Sequence, residues 1–87
     1  MNYVLEYKSS VKKELRKLAN HDRTAIVQKI ENLKDNPLPE GSAKLKGTVN
    51  LFRIRHGDYR VIYQLQNKVL LIIIIRIGHR LEIYKNL

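Results

Sequence analysis

The feature that most constrains the fold is one dense apolar run, Val69–Ile75, near the end of the chain. A run of seven residues is too short to cross a bilayer as a helix, which needs about 20 residues. Apolar side chains at consecutive positions are instead typical of a central strand that is covered on both faces. The rest of the chain must therefore supply neighbouring strands and the layers that cover them.

Two segments before this run alternate apolar and polar residues, as strands with one buried face do. In 51–56, Phe52 and Ile54 point to one side, whereas Arg53 and Arg55 point to the other. The turn signal His56-Gly57-Asp58 then predicts a hairpin. In 59–66, the residues predicted to face the core are Tyr59, Val61, Tyr63 and Leu65. The arginines, together with Ile62, are left on the opposite face.

Two helices are predicted in the first part of the chain. The first is capped by Ser9 or Ser10, and its apolar stripe consists of Val11, Leu15, Leu18 and Ala19. Asp22 is the predicted cap of the second helix, whose inward residues are Ile26, Ile30 and Leu33. The second helix should end at Asp35-Asn36-Pro37, because proline disfavours a helical conformation in the residue before it.

With a short opening strand over 3–7, the predicted element order is β-αα-βββ. This is an α+β fold in a single domain, residues 1–87, with a helical hairpin packed on one face of a small, mainly antiparallel four-stranded sheet. The connection over 36–50 is long for a compact domain, which is typical of functional loops. Residues 81–86 are expected to form a last short strand or a turn.

The composition narrows the choice of partners and compartment. With 17 Lys and Arg against 8 Asp and Glu, the formal charge of +9 favours RNA, DNA or an acidic protein as partner. There is no cysteine, and the N-terminus lacks the basic start and apolar core of a signal peptide, so a cytoplasmic protein without a membrane partner is expected. Three scattered histidines without clustered carboxylates predict no metal site, and no cofactor is expected.

The chemistry-bearing residues gather on the predicted sheet and just after it. They are Arg53, Arg55, Arg60, Arg80 and Tyr84. Guanidinium groups hold phosphate oxygens through paired hydrogen bonds, and a phenol is able to exchange a proton. The pattern therefore predicts a site that binds and cuts a phosphodiester.

Three segments carry a family resemblance: KLKG at 44–47, LFRIRHGDYRVIYQL at 51–65 and IRIGHRLEIYK at 75–85. The chain resembles the RelE branch of the RelE/ParE superfamily of toxins, which belong to toxin–antitoxin pairs. The resemblance implies the β-αα-βββ fold and an endoribonuclease that needs no metal and cuts mRNA in the A site of the 70S ribosome. It also implies a small acidic antitoxin as cognate partner, and contact with operator DNA only through the toxin–antitoxin complex, which represses its own operon.

The resemblance implies roles for the same five residues. Arg60 and Arg80 would stabilise the charge that develops on the phosphorane, and Arg53 and Arg55 stand where well-studied relatives have lysines. Because arginine keeps its proton, neither is suited to replace a lysine that acts as a base. Tyr84 is therefore the predicted base, and surrounding positive charge favours its phenolate form.

Other basic residues have open interpretations. His79 flanks Arg80 and titrates near neutrality, so it is either the general acid or a surface or antitoxin contact. A further set is either a ribosome-contacting surface or merely solvated charge: Lys44, Lys46, Lys12, Lys13 and Arg16.

Two alternatives to the nuclease stay open at this point. One is a ParE-like inhibitor of DNA gyrase without nuclease activity. The other is a catalytically degenerate toxin that survives only as a binding module, an interpretation favoured by the arginines that replace lysines.

Overall fold

A computed structural model describes residues 2–85 of the chain. The bounds of its helices and strands are β1 (Val4–Tyr7), α1 (Ser9–Arg16), α2 (Asn20–Asn32), β2 (Ala43–Lys44), β3 (Leu51–His56), β4 (Tyr59–Gln66) and β5 (Leu71–His79). The predicted β-αα-βββ order and α+β class are confirmed. The sheet has one strand more than the predicted four. The additional strand is β2, which has two residues and lies inside the long connection that was expected to be a loop.

The strands form one mixed sheet in the order β1-β5-β4-β3-β2. Strand β1 is parallel to β5, and the other neighbours are antiparallel. The predicted hairpin joins β3 to β4 through Gly57, whose φ of +56° is easy for a glycine. Strand β5 is hydrogen-bonded on both sides, as its continuous apolar sequence predicted.

The starts of both helices differ from the prediction. Helix α1 begins at Ser9, and no side chain caps either helix. Asp22 lies in the first turn of α2 and bonds to the ring of His56, with 3.0 Å between Oδ1 and Nε2. This contact ties the helix to the end of β3, so Asp22 connects two elements and does not cap one.

The core lies between the helices and one face of the sheet. Its buried residues come from both layers: Val11, Ile26, Ile30, Leu33, Ile54, Val61, Tyr63, Leu65, Ile72, Ile74 and Ile77. Every residue that the alternation of β3 and β4 assigned to the core lies in this cluster or packs against it. The opposite face, which we call the open face, carries Arg53, Arg55, Arg60 and Ile62.

One irregularity in β5 changes which residue reaches the open face. Ile62 pairs with Arg76 but Tyr63 pairs with Ile74, so β5 has one extra residue in a β-bulge. Without the bulge, Arg76 would share the side of Ile72 and Ile74 and point into the core. The bulge turns Arg76 to the open face and returns Ile77 to the core.

The segment after β5 forms turns through Lys85, which agrees with the second of the two expected forms. Asn86, the last residue of that expectation, lies outside the described residues. Within residues 2–85, no helix has the length and apolar content needed to span a membrane.

The long connection is fastened to the core by a buried phenol. Tyr63 is fully buried, and its hydroxyl donates a 2.7 Å hydrogen bond to the carbonyl of Pro37. Burial raises the pKa of Tyr63 to about 12, because the phenolate loses its hydration there.

We expect the raised pKa of Tyr63 to affect the stability of the protein at alkaline pH. The folded-state pKa of Tyr63 lies above the ordinary value of 10.0. The contribution of this neutral phenol to the free energy of unfolding is therefore complete below pH 10 and is lost as the pH rises through about 12. Absorbance titration at 295 nm should show a late step that Tyr63→Phe removes. Tyr3→Phe, which removes a tyrosine that is partly buried against the core, should retain that late step; its loss in this control would contradict the assignment.

Candidate active site

The sheet register places the open-face residues in two adjacent rows. One row runs Arg53, Ile62, Arg76 across three strands, and the next runs Arg55, Arg60, Gly78. Arg55 and Arg60 are directly opposite each other, an arrangement of like charges that destabilises a sheet. Two cations this close concentrate positive charge on the open face, which suits an anionic ligand.

Backbone oxygens, and not carboxylates, hold two of the sheet arginines, Arg53 and Arg60. Arg53 donates to the carbonyl of Gly41 at 3.0 Å. Arg60 donates from one nitrogen to Gly57 and Tyr59, at 2.9 and 3.0 Å. Within residues 2–85, no ion pair neutralises any of the three sheet arginines that were predicted to be functional. The positions of Arg53 and Arg60 are thus fixed, and the charge of all three arginines stays available.

Arg80 differs because it has a carboxylate partner. Its Nε lies 3.3 Å from Oδ1 of Asp58, and its backbone N–H donates to the carbonyl of Asp58 at 2.7 Å. Both side chains are more than half exposed. An exposed pair of this kind is weak. The backbone bond therefore positions Arg80 beside the β3–β4 hairpin, and a phosphate is able to compete with Asp58 for the guanidinium.

Tyr84 belongs to a turn that packs onto the end of the open face. Ile83, the residue before it, is only 2% exposed, and its Cδ1 would lie 3.2 Å from a Cβ added to Gly78. Gly78 thus leaves the space that Ile83 occupies, opposite Arg60 in the register. Tyr84 itself is 44% exposed. The packing of Ile83 on Gly78 holds the turn at the end of the sheet that carries Arg60, and the exposed Tyr84 side chain is accessible to a ligand.

His79 lies on the other face of the sheet. It is opposite Tyr59, a core-facing residue, and the two rings meet edge to face with 6.3 Å between centroids. Its Nδ1 also accepts a hydrogen bond from the backbone N–H of Leu81. The structure therefore does not bring His79 together with the arginines.

The second set of basic residues is exposed but separate from the open face. Lys12, Lys13 and Arg16 lie on α1, which packs on the opposite side of the sheet. Lys44 is opposite Phe52, so its side chain lies on the face of the sheet that the helices cover. Lys46 lies in the turn after β2. These residues form two exposed basic groups, one on α1 and one at β2 near the other edge of the sheet, and neither extends the arginine rows.

Arg76 is the open-face residue that sequence reasoning missed. In a regular strand, residues two apart share a face, so Arg76 would point into the core with Ile72 and Ile74. A buried core position is unsuitable for a guanidinium group. A charged residue at a core position is the signal of a bulge, and the register confirms that bulge.

Comparison with known proteins identifies related sequences. Residues 5–84 match the family model described as ParE toxin of type II toxin–antitoxin system, parDE. The chain is 34% identical over 89 residues to RelE1 toxin of Methanocaldococcus jannaschii, covering 99% of both chains. It is 27% identical over 86 residues to toxin RelG of Mycobacterium tuberculosis, covering 98% of this chain and 99% of that one.

A solved structure shows the same fold. The archaeal RelE–RelB complex from Pyrococcus horikoshii OT3 contains a chain with a TM-score of 0.82 and 32% identity, covering 92% of this chain and 97% of that chain. The protein belongs to the RelE/ParE superfamily of type II toxins. The resemblance noted in the sequence is therefore confirmed as a family relationship.

We expect the opposed arginines to lower the stability of this toxin-family domain. Arg55→Gln should raise the free energy of unfolding at low salt by about 0.2–0.5 kcal/mol, the low end for cross-strand pairs because Arg55 is exposed. Urea denaturation should show that this gain disappears at high salt, where the repulsion is screened. Arg80→Gln, which loses a carboxylate partner, should show no gain; an equal gain in both variants would contradict the pairwise repulsion.

Proposed function

We propose that this protein is a ribosome-dependent endoribonuclease that cuts mRNA in the ribosomal A site and so inhibits translation. The observation that carries the proposal is the open face itself. Three of its arginines have no carboxylate partner within the described residues, and a turn bearing Tyr84 adjoins them. Family membership supports the toxin function, since the relatives are toxins by name.

The reaction that fits these residues is attack of a ribose 2′-oxygen on the adjacent phosphorus. The P–O5′ bond then breaks, which leaves a 2′,3′-cyclic phosphate and a 5′-hydroxyl. Arg60 and Arg80 are assigned to the phosphorane oxygens, where permanent positive charge stabilises the transition state more than the ground state. Arg53 and Arg55 are assigned to holding the substrate phosphates. Charge compensation by guanidinium groups makes a metal unnecessary in this scheme.

Tyr84 is assigned to take the proton of the attacking 2′-hydroxyl. The four arginines stay protonated at any physiological pH, so they are unable to act as the base. His79 is left out of the scheme because its ring lies on the other face of the sheet. In this scheme solvent water donates the proton that converts the leaving 5′-oxygen into the 5′-hydroxyl of the product.

In this proposal the ribosome binds the basic toxin through its RNA and also orients the mRNA for cleavage. The formal charge of +9 favours association with RNA. Two exposed basic groups, Lys12, Lys13 and Arg16 on α1 and Lys44 and Lys46 at β2, offer phosphate contacts away from the arginine rows. The ribosome also orients the mRNA for in-line attack, which provides rate acceleration that a small open site does not supply alone.

The proposed cellular partner is a small acidic antitoxin. The Pyrococcus relative was solved as a RelE–RelB complex. A chain of this charge suits an acidic partner, which would neutralise the toxin by covering its basic surfaces. In the proposal the toxin contacts operator DNA only as part of this complex, which represses its own operon.

A ParE-like inhibitor of DNA gyrase is the second candidate function, because the matching family model is named after ParE toxins. Cell-free translation with mapping of mRNA 5′ ends separates the two. Codon-phased cuts in ribosome-bound mRNA support the nuclease. Intact mRNA together with gyrase-linked DNA breaks supports the inhibitor. If neither cut mRNA nor DNA breaks are found, the result supports a binding module.

We expect Tyr84→Phe to abolish A-site cleavage while leaving folding and antitoxin binding intact, because it removes only a partly exposed hydroxyl. Single-turnover cleavage of mRNA in programmed ribosomes measures the loss, and circular dichroism measures folding. Tyr3→Phe is the matched control, since the Tyr3 hydroxyl bonds to Asn67 within the scaffold. Full cleavage by Tyr84→Phe would overturn the assignment of the base.

We also expect ribosome association to weaken steeply with salt, because phosphate contacts release counterions. Lys44→Gln combined with Lys46→Gln should lower the slope of log affinity against log salt by about 1.4 to 1.8, according to the single- or double-stranded character of the contacted RNA. Sedimentation with 70S ribosomes at several salt concentrations measures this slope. Affinity that stays flat across the titration would contradict the electrostatic binding surface.

A further inference from the structure

The side chain of Arg76 bonds to the backbone on both sides of Tyr84. Its Nη1 lies 2.9 Å from the carbonyl oxygen of Ile83 and 2.6 Å from that of Lys85, and it donates to both. These two residues are the immediate neighbours of Tyr84 in the chain. One guanidinium group therefore links strand β5 to the turn that carries the proposed base.

Arg76 is placed where its guanidinium needs hydrogen-bond partners, because a half-buried cation without partners is costly. The side chain is half-buried, and no ion pair neutralises it within residues 2–85. Glu14 and Glu82 line the same surface cavity, but the Glu14 carboxylate accepts a bond from the backbone N–H of Ile77. The partners of Arg76 are thus turn carbonyls, which satisfy a half-buried cation only while the turn stays closed.

Few other contacts hold this turn. The backbone N–H groups of Glu82 and Ile83 both donate to the carbonyl of His79, and Lys85 donates to Glu82. Together with the packing of Ile83 on Gly78, these bonds close the turn but do not reach across the open face. Arg76 adds the cross-connection, because it orients the peptide plane that precedes Tyr84 and the carbonyl that follows it.

We propose that Arg76 is a positioning residue that holds the 81–85 turn closed and thereby places the Tyr84 phenol beside the arginine rows. The proposal deepens the nuclease function given above and rests on it for the effect on cleavage. Arg76 acts through the turn and does not contact the scissile phosphate. The alternative is that Arg76 binds RNA directly as one more cation of the open face, and the two differ in what its removal changes.

The test compares Arg76→Met with Arg23→Met. Methionine keeps an unbranched apolar stem but removes every donor, so packing is largely preserved. Arg23 is the matched control because its Nη1 also donates to two backbone carbonyls, those of Leu15 and Leu18, at the junction of the two helices. Two measurements are made on each variant: hydrogen exchange at the backbone N–H groups of Ile83 and Lys85, and single-turnover mRNA cleavage across toxin concentrations.

If Arg76 holds the turn, exchange at Ile83 and Lys85 becomes about tenfold faster in Arg76→Met and is unchanged in Arg23→Met. The maximal cleavage rate falls by up to about 100-fold, as expected from misplacing a catalytic group by about 1 Å. The toxin concentration that gives half-maximal rate stays the same. This combination supports the proposal.

Unchanged exchange in Arg76→Met would overturn the proposal, whatever happens to cleavage. So would a weaker half-maximal concentration with an unchanged maximal rate, which indicates direct RNA binding by Arg76. Equal losses in both variants would show a general loss of stability and would also overturn it. If the wild-type protein cuts no mRNA, the proposed nuclease function fails, and the exchange measurement alone decides whether Arg76 holds the turn.

Discussion

The central strand β5 has apolar side chains on both faces, whereas the two helices pack on only one of them. The helix side buries Ile72, Ile74 and Ile77 in the main core. On the open face, Ile62 and Ile83 are buried outside that core, at the end of the sheet where the last turn folds back. The need to cover both faces of one strand therefore places a C-terminal turn next to a row of arginines.

Period-two alternation was enough to predict most of this arrangement. It assigned β3 and β4 to the correct faces, and those two strands carry Arg53, Arg55 and Arg60. The length of the apolar run predicted the central strand, which pairs with β1 and β4. The helix starts were predicted less well, because Asp22 bonds to a distant histidine and such a tertiary contact leaves no local pattern.

Alternation failed where the backbone departs from it. A single extra residue reverses the facing of everything beyond it, so the bulge in β5 moved Arg76 to the open face. The two interpretations of His79 stayed open for a related reason, because proximity to Arg80 in the sequence says nothing about which face a strand residue occupies. The direct pairing of Arg55 with Arg60 required the register, which depends on the hairpin and not on either strand alone.

The candidate site divides its work between parts of the fold that differ in local stability. The cations lie mostly on β3 and β4, whose ladder bonds and core side chains are typical of the most stable parts of a domain. The proposed base lies in a turn closed by a few backbone bonds, one apolar contact and Arg76. In the proposed mechanism the arginines bind phosphate without moving protons, so the cleavage rate would depend on the fraction of molecules in which that turn is closed. The local stability of a few residues, and not the free energy of global unfolding, would then set the rate of the proposed reaction.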